Sequence, residues 1–227
     1  MRTNRLRAAV PVALLAGALA VGVSACGSSN TSTPAANSSS PAASSTAPLA
    51  TVPNVSGVST SVKLDPSFLA ALKSLSLTPG TVGKATLDAS TGVISFPITS
   101  GNVTYYKPGG PVEPYVQGIL HHDGSGLSLS AGGTTVELTN FSVDPGKSIL
   151  YGDVSANGTT AATQTPLFFL NGSTLQPLMK QGNDAILTGT KVSIYPSAAM
   201  LLDTTFKTTA VTPYFPVGVA TITIATS

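Results

Sequence analysis

Three sets of residues in this chain carry chemistry beyond packing: a single cysteine (Cys26), an adjacent histidine pair (His121-His122) and six tyrosines. An imidazole can act as proton relay, general base or metal ligand near neutral pH. Neighbours on a strand point to opposite faces, so His121 and His122 do not easily share one metal ion. A zinc centre needs three or four converging ligands, and no spaced His/Cys set exists here. The plain reading has one histidine at a strand end bonded to a loop and the other exposed, with Asp123-Gly124 turning the chain just beyond. The sharper reading has one of them touch a ligand. Nucleophilic catalysis finds no G-x-S-x-G elbow, and the nine carboxylates are dispersed. The glycine pairs at 109–110 and 132–133 read as turns, so no phosphate cradle is present either. The expectation is a protein that is not an enzyme and carries no metal. Tyr105-Tyr106 precede KPGGP, and strand-end tyrosines ordinarily bury the ring and wet the hydroxyl. A tyrosinate supported by a histidine is also one way to hold ferric haem.

Cys26 has a different chemistry. Three arginines lie within MRTNRLR, followed by 16 uncharged, mostly apolar residues from Ala8 to Val23. A basic start, an apolar run and small residues before a cut form a secretory signal peptide. The run is shorter than the roughly 20 residues that span a bilayer, and Pro11 interrupts it. Val23-Ser24-Ala25-Cys26 resembles the bacterial lipobox, which implies a thiol that takes up diacylglycerol and, after cleavage at 1–25, heads the mature chain. Two or more acyl chains, palmitate among them, anchor stably where one chain does not. The expected location is the extracytoplasmic face of the cell membrane. Without the signal peptide, eight lysines face nine acids, a net charge near −1 with no basic cluster, which excludes nucleic acid as a partner.

These groups must be positioned by the rest of the chain. Residues 26–60 are Ser, Thr, Ala and Pro-rich without a charge, and read as a disordered linker holding the domain on the order of 30 Å from the anchor. Residues 61–227 suffice for one domain with a real core. Apolar residues alternate at Ile94-Phe96-Ile98, Leu127-Leu129, Val136-Leu138 and Val192-Ile194, the mark of half-buried strands. AGG at 131–133 and Asn157-Gly158 read as hairpin turns. Alternation changes phase between Leu138 and Phe141, which places a bulge near Asn140, and Pro97 points to an edge strand. Two short helices interrupt the strands. Asp65 caps the first with Pro66 at its first position, and Phe68, Leu69, Leu72 and Leu75 form its stripe. The second opens at Pro196, with Met200, Leu201 and Phe206 facing inward. The fold class is mainly β, a β-sandwich with two short helices. Segments 62–87 and 192–222 also repeat, pairing Pro66 with Pro196 and Val82 with Val217, which suggests a pseudo-twofold relation.

In order along 61–222, FPITSG (96–101), GILHHDGSGLSLSAGGTTVELTNFSVD (118–144), YGDVSANGT (151–159), PLFFL (166–170) and VSIYPSAAMLLDTTF…FPVGVATI resemble the HtaA-type haem-uptake domain of Gram-positive surface proteins. The resemblance implies a β-sandwich displayed at the envelope, with His122 supporting a haem-ligating tyrosine. This chain departs from the pattern twice. It has no tryptophan, and SFLAAL places Ala71 where the tyrosine ligand is expected. Two readings remain open. The first is a non-catalytic envelope lipoprotein, without cofactor, whose sandwich binds a protein or cell-wall partner or serves structurally. The second is a haem-binding relay using His122 and another tyrosine, Tyr106.

Overall fold

The computed structural model describes residues 46–55 and 57–226. The signal peptide (1–25), Cys26 and the first part of the linker lie outside the described residues. Strands β1 (Ala50–Val52) and β2 (Gly57–Leu64) lead into helix α1 (Pro66–Ser74). Four short strands come after it: β3 (Thr78–Gly83), β4 (Thr86–Asp88), β5 (Val93–Pro97) and β6 (Ser100–Tyr105). Longer ones come next: β7 (Val116–Ala131), β8 (Thr134–Asp144), β9 (Ile149–Ala156) and β10 (Thr159–Asn171). The chain closes with β11 (Met179–Gln181), β12 (Asp184–Ile194), helix α2 (Pro196–Phe206) and β13 (Pro216–Ala225). No described helix is long and apolar enough to cross a membrane.

All pairings are antiparallel, in the order β1-β6-β7-β8-β9-β10-β12-β13-β2-β5-β4, with β3 added to β7 and β11 to β12. The sheet curls until its two arms face one another as a sandwich. Phe96 on β5 meets Phe141 on β8 edge to face at 5.2 Å, and Phe141 meets Phe168 on β10 at 6.5 Å. Such T-shaped contacts place positive ring edges on negative ring faces.

The hairpin turns fall where turn chemistry puts them. Gly132 and Gly133 join β7 to β8 with φ of 55° and 78°, and Asn157-Gly158 join β9 to β10 with φ of 49° and 77°. Positive φ at both central residues matches the right-handed twist of the flanking strands. Pro97 pairs with Ser59 on one side, while β4 covers β5 only from Val93 to Ser95. The missing N–H of Pro97 therefore costs no ladder bond.

Several expectations need correction. The linker boundary at residue 60 is too late: Ala50–Val52 pair with Tyr105–Val103, and Val55 and Thr60 are buried. The alternation Thr60-Val62-Leu64 carries the strand back into a stretch whose composition alone looks like linker. Asp123-Gly124 do not end a strand. β7 runs through them as a bulge, its register jumping from His122↔Phe141 to Gly126↔Thr139. In α2 Leu201 and Phe206 pack partly buried against the core as expected, beside the buried Ala198, Ala199 and Leu202, whereas Met200 is 71% exposed, turned out beside Ala199. In α1 Leu72 is buried but Leu69 faces water.

The repeat is local rather than twofold. Pro66 and Pro196 both open helices, yet Asp65 caps through Ser67 at 2.8 Å while Tyr195 provides no side-chain cap. β13 returns to pair with β12, but β3 crosses to β7. The edges of β2 are already taken by β13 and β5, so β3 has no place beside it.

Candidate functional site

β7 presents its two histidines to opposite sides, as strand geometry requires. His121 is half-buried, with Nδ1 3.0 Å from the Ser142 hydroxyl of the adjoining strand. His122 turns into the core and is 1% exposed. Its Nδ1 lies 3.0 Å from the Pro97 carbonyl and its Nε2 3.2 Å from the Thr60 hydroxyl. A carbonyl only accepts, so Nδ1 carries the proton, and Nε2 accepts from the threonine. Burial holds the imidazole below its ordinary pKa, since the interior disfavours the cation. The Pro97 carbonyl bond opposes that shift, His121 adds to it and Asp123 opposes it. His122 is thus a neutral imidazole joining the two arms of the curled sheet, with both ring nitrogens engaged.

The bulge after His122 is held by its own polar set. The Ser125 hydroxyl donates to the His122 carbonyl at 2.9 Å, and the Gly124 N–H donates to Asn140 Oδ1 at 3.0 Å. Asn140 sits at a φ of 52° and donates through Nδ2 to Asp153 at 2.8 Å.

The structure does not bring Tyr106 to His122. Ser100 pairs with His121 and Tyr105 with Val116, so Tyr106 stands at the other end of the β6–β7 hairpin. That separation is on the order of 20 Å at about 3.4 Å per residue. Tyr106 is half-buried and donates its backbone N–H to the Tyr115 carbonyl at 2.7 Å. Tyr105 and Tyr115 stack edge to face at 5.7 Å, and the Tyr115 hydroxyl donates to the Leu175 carbonyl at 3.4 Å. Cys26 is outside the described residues. No group of three or more metal-ligating side chains occurs among the described residues.

What sequence reasoning missed is the space between the helices and the sheet. A cavity of about 130 Å³ lies there, bordered by Phe68, Ala71 and Leu72 of α1, by Leu202 of α2, and by Phe141 and Phe168 of the sheet, among others. Its only side-chain polar groups among the described residues are the hydroxyls of Thr60, Ser128 and Thr190. Among the described residues, neither His122 nor any tyrosine borders it, and no charged residue does. Thr60 divides the two environments: it borders the chamber, and its hydroxyl donates to His122 behind the wall.

A haem does not fit this donor set. Among the described residues, the chamber has no oxygen or nitrogen ligand of the strength ferric iron takes, and no cation to meet propionates. Ala71, where the resemblance implies a tyrosine, presents only a methyl group to the chamber's edge.

Fold and site together define a curled antiparallel sandwich with two helices and an apolar chamber. The fold is similar to that of the C-terminal domain of HtaA from Corynebacterium glutamicum, whose crystal structure is 16% identical to this chain with a TM-score of 0.53. The match covers 76% of this chain and 98% of that one. No protein-family model and no curated protein matches the chain.

Proposed function

We propose that this chain is a lipid-anchored extracytoplasmic protein of the cell membrane whose sandwich is a non-catalytic binding module. The lipobox at Val23–Cys26 supports the anchor, and the apolar chamber is the observation that carries the binding role. Well-packed interiors leave few voids larger than a water molecule. A dry apolar void near 150 Å³ takes up benzene, and the chamber is of that size. Binding to the folded state alone raises stability with ligand concentration. In thermal denaturation of the purified chain, the Tm is expected to climb as benzene is added. Haemin is expected to give the absorbance of free haemin plus protein. A Tm indifferent to benzene at saturation would count against the chamber as a binding site, and a shifted Soret band would restore the haem relay.

A further inference from the structure

Thr60 belongs both to the chamber wall and to the hydrogen-bond shell of His122. It is 4% exposed, so water does not stand in for a protein partner at its hydroxyl. A threonine hydroxyl has one hydrogen and two lone pairs. In the neutral ring the Nδ1 proton goes to the Pro97 carbonyl, 3.0 Å away, and Nε2 offers only a lone pair. The Thr60 hydrogen is therefore committed to Nε2, 3.2 Å away, and points behind the wall. A ligand oxygen lying against Thr60 then meets no donor there, and it loses its water without replacement.

Adding a proton reverses this bond without requiring a heavy atom to move. An imidazolium donates from both nitrogens. Nδ1 keeps the Pro97 carbonyl, which accepts in either state. Nε2 now donates to the Thr60 oxygen, and the Thr60 hydrogen must turn elsewhere. Among the described residues, the groups that meet the ring from other strands do not titrate: Thr60 on β2, Phe96 and the Pro97 carbonyl on β5, and the ladder partner Phe141 on β8. The titratable groups acting on it are His121, which opposes the cation, and Asp123, which favours it, both on its own strand.

We infer that Thr60 is the specificity-determining residue of the chamber, its hydroxyl hydrogen held by His122 when that ring is neutral and released to a ligand oxygen when the ring is protonated. This inference rests on the binding-module reading and adds what the chamber selects and how pH controls the choice. With neutral His122 the chamber favours pure hydrocarbon. With protonated His122 it favours a compact apolar molecule that carries one carbonyl or ether oxygen. Ser128 and Thr190, the other hydroxyls at the wall among the described residues, do not titrate and contribute equally at every pH. By linkage, a ligand that prefers the protonated state makes the His122 proton harder to remove by the same factor.

The test compares two neutral ligands of one shape, methylenecyclopentane and cyclopentanone, which differ only by a CH2 group in place of the oxygen. Their Kd values for the purified chain are measured by NMR titration from pH 7.5 downward, with the His122 ring resonances followed alongside. The hydrocarbon is expected to bind more tightly at pH 7.5. As His122 takes up its proton, the ratio is expected to move toward the ketone by about threefold to tenfold, the worth of one hydrogen bond. Saturating cyclopentanone is expected to raise the His122 pKa relative to saturating methylenecyclopentane. Thr60→Val keeps the shape without the hydroxyl and is expected to abolish both effects. His122→Phe frees the Thr60 hydrogen at neutral pH and is expected to give the ketone the same gain at pH 7.5, which carries the test if the wild-type chain unfolds before His122 titrates. A ratio that ignores His122 protonation in the folded chain, that shifts equally in Thr60→Val, or that stays at the wild-type value in His122→Phe overturns the inference. If the hydrocarbon binds and the ratio stays fixed, the binding module stands and the role of Thr60 falls. If neither ligand binds at any pH, both fall.

Discussion

His122 ties Thr60 of β2 and the Pro97 carbonyl of β5 to β7, three strands that no ladder joins to one another except β2 with β5. Its titration is therefore coupled to the closure of the sandwich. The folded state binds fewer protons at this ring than the unfolded chain, whose histidine titrates near pH 6.5. The resulting stability is complete above that pH and is lost as pH falls below it, toward the depressed folded value. Wild-type Tm is expected to decline between about pH 7 and 5, and His122→Phe to lack that part of the decline. At pH 7.5 the same variant is expected to be less stable by about 1–3 kcal/mol for each orphaned partner, in urea denaturation. A variant with the wild-type pH slope would show that another group titrates. At this scale the opposite facing of the two histidines was legible from strand geometry. The partners were not, because Thr60 and a proline carbonyl carry no signal and reach His122 only when the sheet curls.

Among the elements, the β7–β8 bulge is where local sequence and long-range structure meet. The change of alternation phase between Leu138 and Phe141 marks it in the sequence, and the structure places Asn140 there at positive φ. Asparagine tolerates that conformation better than most residues and adds bonds to Gly124 and Asp153. Asn140→Ala is expected to cost about 1–3 kcal/mol, as backbone strain and a lost bonding network would. Asn140→Gly should recover part of it by removing the strain alone, which equilibrium unfolding of the two variants can separate. Equal losses would put the whole effect in the hydrogen bonds. Strands and hairpin turns were legible because period-two alternation and Asn-Gly chemistry are local. The outward turn of Met200 on α2 was not. Alanines 198 and 199 pack closely there and leave the larger Met200 outside, a choice set by the sheet beneath rather than by hydrophobicity.

For the molecule as a whole, Cys26 and the chamber have opposite relations to the fold. Anchoring through acyl chains needs only the short segment around Cys26, and Cys26→Ser is expected to move the protein from the membrane fraction to the soluble extracytoplasmic fraction on cell fractionation. Retention of the variant in membranes at the wild-type level would dismiss the lipobox reading. The sequence by itself determined the mainly β class, the two proline-opened helices and the main hairpin turns, since each rests on residue type or on spacing within one element. Only the tertiary structure decided that β3 crosses to β7, that Tyr106 stands far from His122, and that an apolar chamber lies beneath the helices. Those facts depend on which strand edges remain free and on where helices meet a curled sheet. Such relations join residues distant in sequence, and no local pattern of apolar and polar residues encodes them.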